Sequence, residues 1–211
     1  LAVTAENDVP ILTGFSTSVT FYEDTVNSVP QLVDNNVTFT DSDGNFNGGT
    51  LTLTGHLSED TVSVRNQGIG TGQIGLSGAE VTYGGVAIGT LSGGAAGTAL
   101  TINFGSAATS ASIDALIQNL TYSNSSDTPT SSRELRLNVI DAAGDEISSG
   151  GLGLTLTVIA ENDAPVLADF STSILFQENT VNSVPQLLDS DVSFTDAEGN
   201  FNASTLTVTG L

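Results

Sequence analysis

The stretch Val37-Thr38-Phe39-Thr40-Asp41-Ser42-Asp43-Gly44-Asn45-Phe46-Asn47-Gly48-Gly49-Thr50-Leu51-Thr52-Leu53-Thr54 decides the fold. Both ends alternate apolar residues with Thr, the period of a half-buried antiparallel strand. The middle is a Gly- and Asn-rich turn loaded with carboxylates. The same design returns 155 residues later as Val192-Ser193-Phe194-Thr195-Asp196-Ala197-Glu198-Gly199-Asn200-Phe201-Asn202. Extended outward, the match runs without a gap from residues 6–56 to residues 161–211, with 33 of 51 positions identical. Glu6-Asn7-Asp8-Val9-Pro10 recurs as Glu161-Asn162-Asp163-Ala164-Pro165, and Thr25 to Leu32 recurs unchanged at 180–187. A period this long marks an array of domains, since solenoid repeats span 20–50 residues. We expect residues 6–160 to be one repeat unit, 161–211 the amino-terminal part of the next, and 1–5 the end of a preceding one. The chain then reads as a segment of a longer protein.

Beyond these stretches, Thr61-Val62-Ser63-Val64, Leu100-Thr101-Ile102-Asn103-Phe104, Glu134 to Val139 and Leu152 to Val158 alternate in the same way. Gly- and Asn-rich turns separate them. The expected fold is all-β, an antiparallel immunoglobulin-like sandwich. Ser110 to Gln118 is the exception: Ile113, Leu116 and Ile117 fall at i, i+3, i+4, which predicts one short helix capped by Ser110 or Ser112.

The chain has 211 residues and a formal charge of −21, from 24 acidic side chains against three Arg and no Lys. Nucleic acid is excluded as a partner, because phosphates must be neutralised and only Arg65, Arg133 and Arg136 are present. No apolar run reaches the length of a membrane span, so no membrane insertion is expected. The absence of Cys removes disulfides and thiolate chemistry. Such a charge opposes compaction, and the chain holds almost no cations to offset it. Salt or bound divalent metal is the natural remedy.

The acids gather at strand ends. One cluster is Glu6-Asn7-Asp8 with its copy Glu161-Asn162-Asp163. A second is Asp41-Ser42-Asp43-Gly44-Asn45 with its copy Asp196-Ala197-Glu198-Gly199-Asn200. A third is Asp141-Ala142-Ala143-Gly144-Asp145. Glu23 and Glu178 stand alone after Phe21 and Phe176, and Asp127 lies apart from every cluster and is expected to be silent. Alternate oxygen side chains on a tight Gly turn suit a hard cation, and calcium accepts 6–8 oxygens. The loop is no EF-hand, because positions six and twelve are Phe46 and Thr52. Asx-turns with solvated acids are the alternative reading of any single cluster.

Together these motifs resemble the bacterial cadherin-like tandem repeats of large secreted, RTX-type calcium-dependent adhesins. The matching parts are the linker Glu161-Asn162-Asp163-Ala164-Pro165, Glu23, the loop Asp196 to Asn200 and the late Asp141-Ala142-Ala143-Gly144. Glu59-Asp60 is a loose counterpart of the family's middle-strand acidic motif, and Ile113 to Asp141 also resembles chondroitin-sulfate-proteoglycan-type repeats. The resemblance implies Ca2+ at the junction near residue 161, held by Glu23, Glu161, the Asn162 carbonyl, Asp163, Asp196, Glu198 and Asn200. It implies a second group of Asp8, Asp41, Asp43, Asn45 and Asp141 at the amino-terminal junction. The implied role is a calcium-stiffened spacer and adhesion module, secreted or on the bacterial surface, with neighbouring repeats as partners.

Three other signals are discounted. Gly70-Thr71-Gly72-Gln73-Ile74-Gly75 has dinucleotide-motif spacing but opens no helix. His56 is the only His, and its copy is Leu211, so a Ser–His–Asp arrangement would not repeat. A glycosidase pair among Glu23, Asp41 and Asp43 fits poorly with their recurrence, so no enzymatic activity is expected. Two other roles stay open: a carbohydrate- or ligand-binding sandwich, and a subunit whose sandwich is completed by strands of another chain, with homophilic or strand-exchange contacts.

Overall fold

The computed structural model describes residues 6–209, so the expectation for residues 1–5 lies outside the described part. The chain divides into two compact units, meeting between Glu161 and Asn162. In the first unit the strands are β1 (Ile11–Thr13), β2 (Ser18–Tyr22), β3 (Gln31–Leu32), β4 (Thr38–Thr40), β5 (Thr50–Thr54), β6 (Asp60–Val64) and β7 (Ile74–Ser77). They continue as β8 (Glu80–Tyr83), β9 (Val86–Ser92), β10 (Leu100–Phe104), β11 (Leu120–Asn124), β12 (Ser132–Ile140) and β13 (Leu152–Ile159). Two helices, α1 (Glu23–Ser28) and α2 (Ser110–Ile117), interrupt them.

The unit is an all-β sandwich. One sheet has eight strands in the order β2-β13-β12-β5-β10-β9-β8-β7, and a second has the order β3-β11-β6. Alternation explains the core: Leu51 and Leu53 of β5, Leu135, Leu137 and Val139 of β12, and Leu154, Leu156 and Val158 of β13 all point inward. Each such side chain contributes about 1.5–3 kcal/mol on burial. Residues 6–56 and 57–160 are interleaved, because β5 lies between β12 and β10. Pairing is antiparallel except for β2 on β13, which is parallel, with Ser18 opposite Thr155 and Tyr22 opposite Ile159.

The helix expected at 110–118 is present as α2. The N-cap is Thr109, one residue before Ser110, and the expected Ser112 completes the cap: Thr109 accepts from the Ser112 amide at 3.2 Å, and Ser112 Oγ accepts from the Thr109 amide at 2.8 Å. This reciprocal box satisfies two otherwise orphaned donors. α2 in turn covers the pair of β1 and β4 from one side. Asp114 accepts from the Phe39 amide at 2.7 Å, and Gln118 donates to the Val37 carbonyl at 3.0 Å, so a short edge strand is not left bare. The six-residue α1 was not expected. It opens directly on Glu23 and buries Val26.

The second unit holds β14 (Val166–Ala168) paired with β15 (Ser193–Thr195), and α3 (Glu178–Val181), at the positions of β1, β4 and α1. Leu206 and Val208, the counterparts of Leu51 and Leu53, are exposed and form no strand.

Candidate metal centre

Three segments of the first unit converge on one acidic pole. β4 delivers Asp41 to Asn45, the strand end before β1 delivers Asn7 and Asp8, and β12 delivers Asp141 to Asp145. Gly49 allows the approach. A Cβ built there would lie 2.3 Å from the Ile140 carbonyl oxygen and 2.9 Å from the Asp141 carbonyl carbon, so only Gly lets the first loop lie against the third.

The hydrogen bonds define the pole. Asp41 Oδ1 accepts from the amides of Asp43 and Gly44, both at 2.9 Å. Asp43 Oδ2 accepts from the Asp8 amide at 2.5 Å. The buried Asp141 accepts three amides on Oδ1, from Ala143, Gly144 and Asp145, at 2.8–2.9 Å. Asn7 stands between the carboxylates: its Nδ2 donates to Asp141 at 2.8 Å and to Asp145 at 2.7 Å, while its Oδ1 accepts from Asn45. The Ala142 amide donates to the Asn45 carbonyl at 2.9 Å, which fastens two loops together.

This arrangement brings together Asp8, Asp41, Asp43, Asn45 and Asp141 of the sequence-derived set. It adds Asn7 and Asp145, which that set omitted although both lie in the quoted motifs. The residues fit a hard cation by donor chemistry. Every side-chain donor is an oxygen of a carboxylate or amide, and Asp41 Oδ2 and Asn45 Oδ1 are buried with no hydrogen-bond partner. Buried oxygens left unpaired cost free energy that a hard cation would recover.

The second unit reproduces the framework. The Asp163 amide donates to Glu198 at 3.2 Å, the Gly199 amide to Asp196 at 2.7 Å, and Asn200 donates to Asn162 Oδ1. These repeat the bonds of Asp8 to Asp43, Gly44 to Asp41, and Asn45 to Asn7. Ser171 to Asp189 at 2.7 Å likewise repeats Ser16 to Asp34 at 2.7 Å. Asn162, Asp163, Asp196, Glu198 and Asn200 thus form one local group within the second unit.

Glu23 lies in the first unit. It is buried at the start of α1 and accepts from the Glu161 amide at 2.9 Å. A carboxylate oxygen of Asp127 lies within 4.8 Å of one of Glu23. The expectation that Asp127 is remote from the clusters is therefore corrected: the loop after β11 carries it back to α1. Two charges at that separation repel by roughly 3–4 kcal/mol at an effective dielectric near 20.

Asp60, proposed above as a loose acidic counterpart, is instead buried in an ion-paired network. It accepts from the Leu57 amide at 2.7 Å, Tyr122 at 2.5 Å and Asn124 at 2.8 Å, and from Arg133 Nε and Nη2 at 3.0 and 2.9 Å. Arg133 also reaches Glu59 at 3.0 Å and lies over the Tyr122 ring, 5.5 Å from its centre. Burial, with help from the Asp60 hydrogen bond and charge, pushes the Tyr122 phenol far above its usual range. His56 is buried beside this network. Its ring nitrogens are buried, and the Thr98 backbone lies beside the ring. Burial lowers its pKa, partly opposed by Asp60.

No family model matches the chain, and no curated protein matches it. Among solved structures it is similar to one described as a GspB Siglec domain, at 11% identity and a TM-score of 0.26. The match covers 75% of this chain and 61% of that one, so the chain spans less than two thirds of its length.

Proposed function

We propose that the chain carries calcium-binding modules of an extracellular tandem-repeat adhesin, acting as a spacer on a bacterial surface or in a secreted protein. The role is structural and adhesive, with no catalysis, as in the cadherin-like repeats it resembles. One observation carries the reading: a network of acids and amides with buried, unpartnered oxygens, three of whose hydrogen bonds recur 155 residues later. Asx-turns alone account for the amide bonds to Asp41 and Asp141, but not for several carboxylates gathered on one pole. The first-unit site uses Asn7, Asp8, Asp41, Asp43, Asn45, Asp141 and Asp145. A second locus uses Glu23 and Asp127, and the group of Asp163, Asp196, Glu198 and Asn200 is the copy of the first.

Extracellular calcium modules bind with dissociation constants of about 10⁻⁴–10⁻³ M. Tenfold excess metal then adds about 1.4 kcal/mol per site. The test is calorimetric titration and thermal unfolding with calcium, with magnesium alongside. Calcium should raise the melting temperature and release heat, and Asp41→Ala or Asp141→Ala should abolish the first-unit share. No heat and an unmoved melting temperature in the parent chain would defeat the proposal.

A further inference from the structure

Residues 6–56 and 161–211 are near-copies, yet their environments differ. In the first unit Phe39 is 2% exposed, and Leu51 and Leu53 are fully buried, seated against β10 and β12. Their counterparts Phe194, Leu206 and Val208 are 54%, 90% and 58% exposed. The rings of Phe39 and Phe46 lie 5.8 Å apart, and Phe104 closes on Phe46 edge-on at 6.2 Å. Phe194 and Phe201 keep the pair at 5.3 Å, beside an open cavity of about 480 Å³ lined by Pro165, Phe194, Phe201 and Leu206. Because 33 of the 51 positions are identical, the seat that 6–56 occupies also matches the apolar pattern of 161–211, and a second copy of the chain presents that seat. Exchange of equivalent elements between copies is a common failure of repeat proteins.

Among the glycine positions that differ, Gly49 makes the tightest backbone contact with the seat. Gly49 meets the backbone of Ile140 and Asp141 so closely that a Cβ would lie 2.3 Å from a carbonyl oxygen, 2.9 Å from a carbonyl carbon and 3.1 Å from a Cα. All three are main-chain atoms that cannot rotate away. The counterpart of Gly49 is Ser204. The local turns otherwise agree: the Gly49 amide donates to Phe46 at 2.8 Å, and the Ser204 amide to Phe201 at 3.0 Å. We propose that Ser204 is a specificity residue that bars residues 161–211 from the seat of residues 6–56, so that near-identical neighbouring modules do not exchange strands between chains. Entry of Ser204 would displace the loop whose three amides hold Asp141.

The test uses the full chain, refolded from denaturant and followed by size exclusion with light scattering and by amide hydrogen exchange. The parent should refold as a monomer, with Leu51 and Leu53 slow to exchange and Leu206 and Val208 fast. Ser204→Gly makes the two segments equivalent at this contact. The tethered segment keeps an effective concentration in the millimolar range, so at about 0.1 mM chain roughly a tenth should form exchanged dimers. Gly49→Ser with Ser204→Gly inverts the preference: dimers should dominate, with Leu206 and Val208 now slow. Gly49→Ser alone separates loss of folding from exchange. Dimer fractions equal in the parent and Ser204→Gly would overturn the proposal, and so would a double variant that stays monomeric with Leu51 and Leu53 protected.

Discussion

Replacing Arg133 by Met keeps the apolar stem and removes the charge that faces Asp60. Asp60 then retains the Leu57 amide, Tyr122 and Asn124 as donors, but loses both guanidinium bonds, at 3.0 and 2.9 Å. Breaking a buried pair from one side leaves an uncompensated charge, which costs about 3–5 kcal/mol. At roughly 2–4 °C per kcal/mol for a unit of this size, the melting temperature should fall by about 6–20 °C. Denaturant unfolding followed by circular dichroism measures the loss. Asp60→Asn with Arg133→Met should restore at least half of it, since no charge is then left behind. A loss below about 1 kcal/mol in Arg133→Met would show that the network is not what holds β6, β11 and β12 together.

Other outcomes follow from the same geometry. His56→Leu should gain on the parent as the pH drops below 6.5. Burial lowers the folded-state pKa of His56, so its neutral form supports folding above the unfolded pKa and that support is lost on acidification. Urea melts at pH 7 and near pH 5.5 read the difference. Asp127→Ala should weaken calcium's stabilisation of the first unit and raise the metal-free melt, because the repulsion with Glu23 is removed; an unchanged calcium response removes Asp127 from the second locus. Thr109→Ala breaks the capping box of α2 and should cost about 1 kcal/mol in denaturant unfolding.

The strands were legible because alternation is a local signal, and β5, β6, β10, β12 and β13 all declare it. The parallel partnership of β2 and β13 was not, since nothing in Ser18–Tyr22 encodes a neighbour more than 130 residues away. α1 was also hidden. Asp, Thr, Asn and Ser are poor helix formers, and its single turn and a half is held by burial of Val26. At the acidic pole, recurrence exposed the Asp41 and Asp196 loops, whereas Asp127 sits alone in a Ser-rich loop and only the return of the chain to α1 gives it a neighbour. Asp60 read as one more acid. Its role depends on Tyr122, Asn124 and Arg133, which lie 62 to 73 residues away.

The parallel pairing of β2 with β13 has a mechanical consequence. Residue 6 precedes Ser18, and Glu161 follows Ile159, so tension applied at the two ends of the first unit pulls these neighbouring strands in opposite directions along their own axes. Their bonds, spread from Ser18 opposite Thr155 to Tyr22 opposite Ile159, are then strained together in shear. An antiparallel pair pulled from one end would unzip a rung at a time, and a module that must transmit traction is better served by the first geometry.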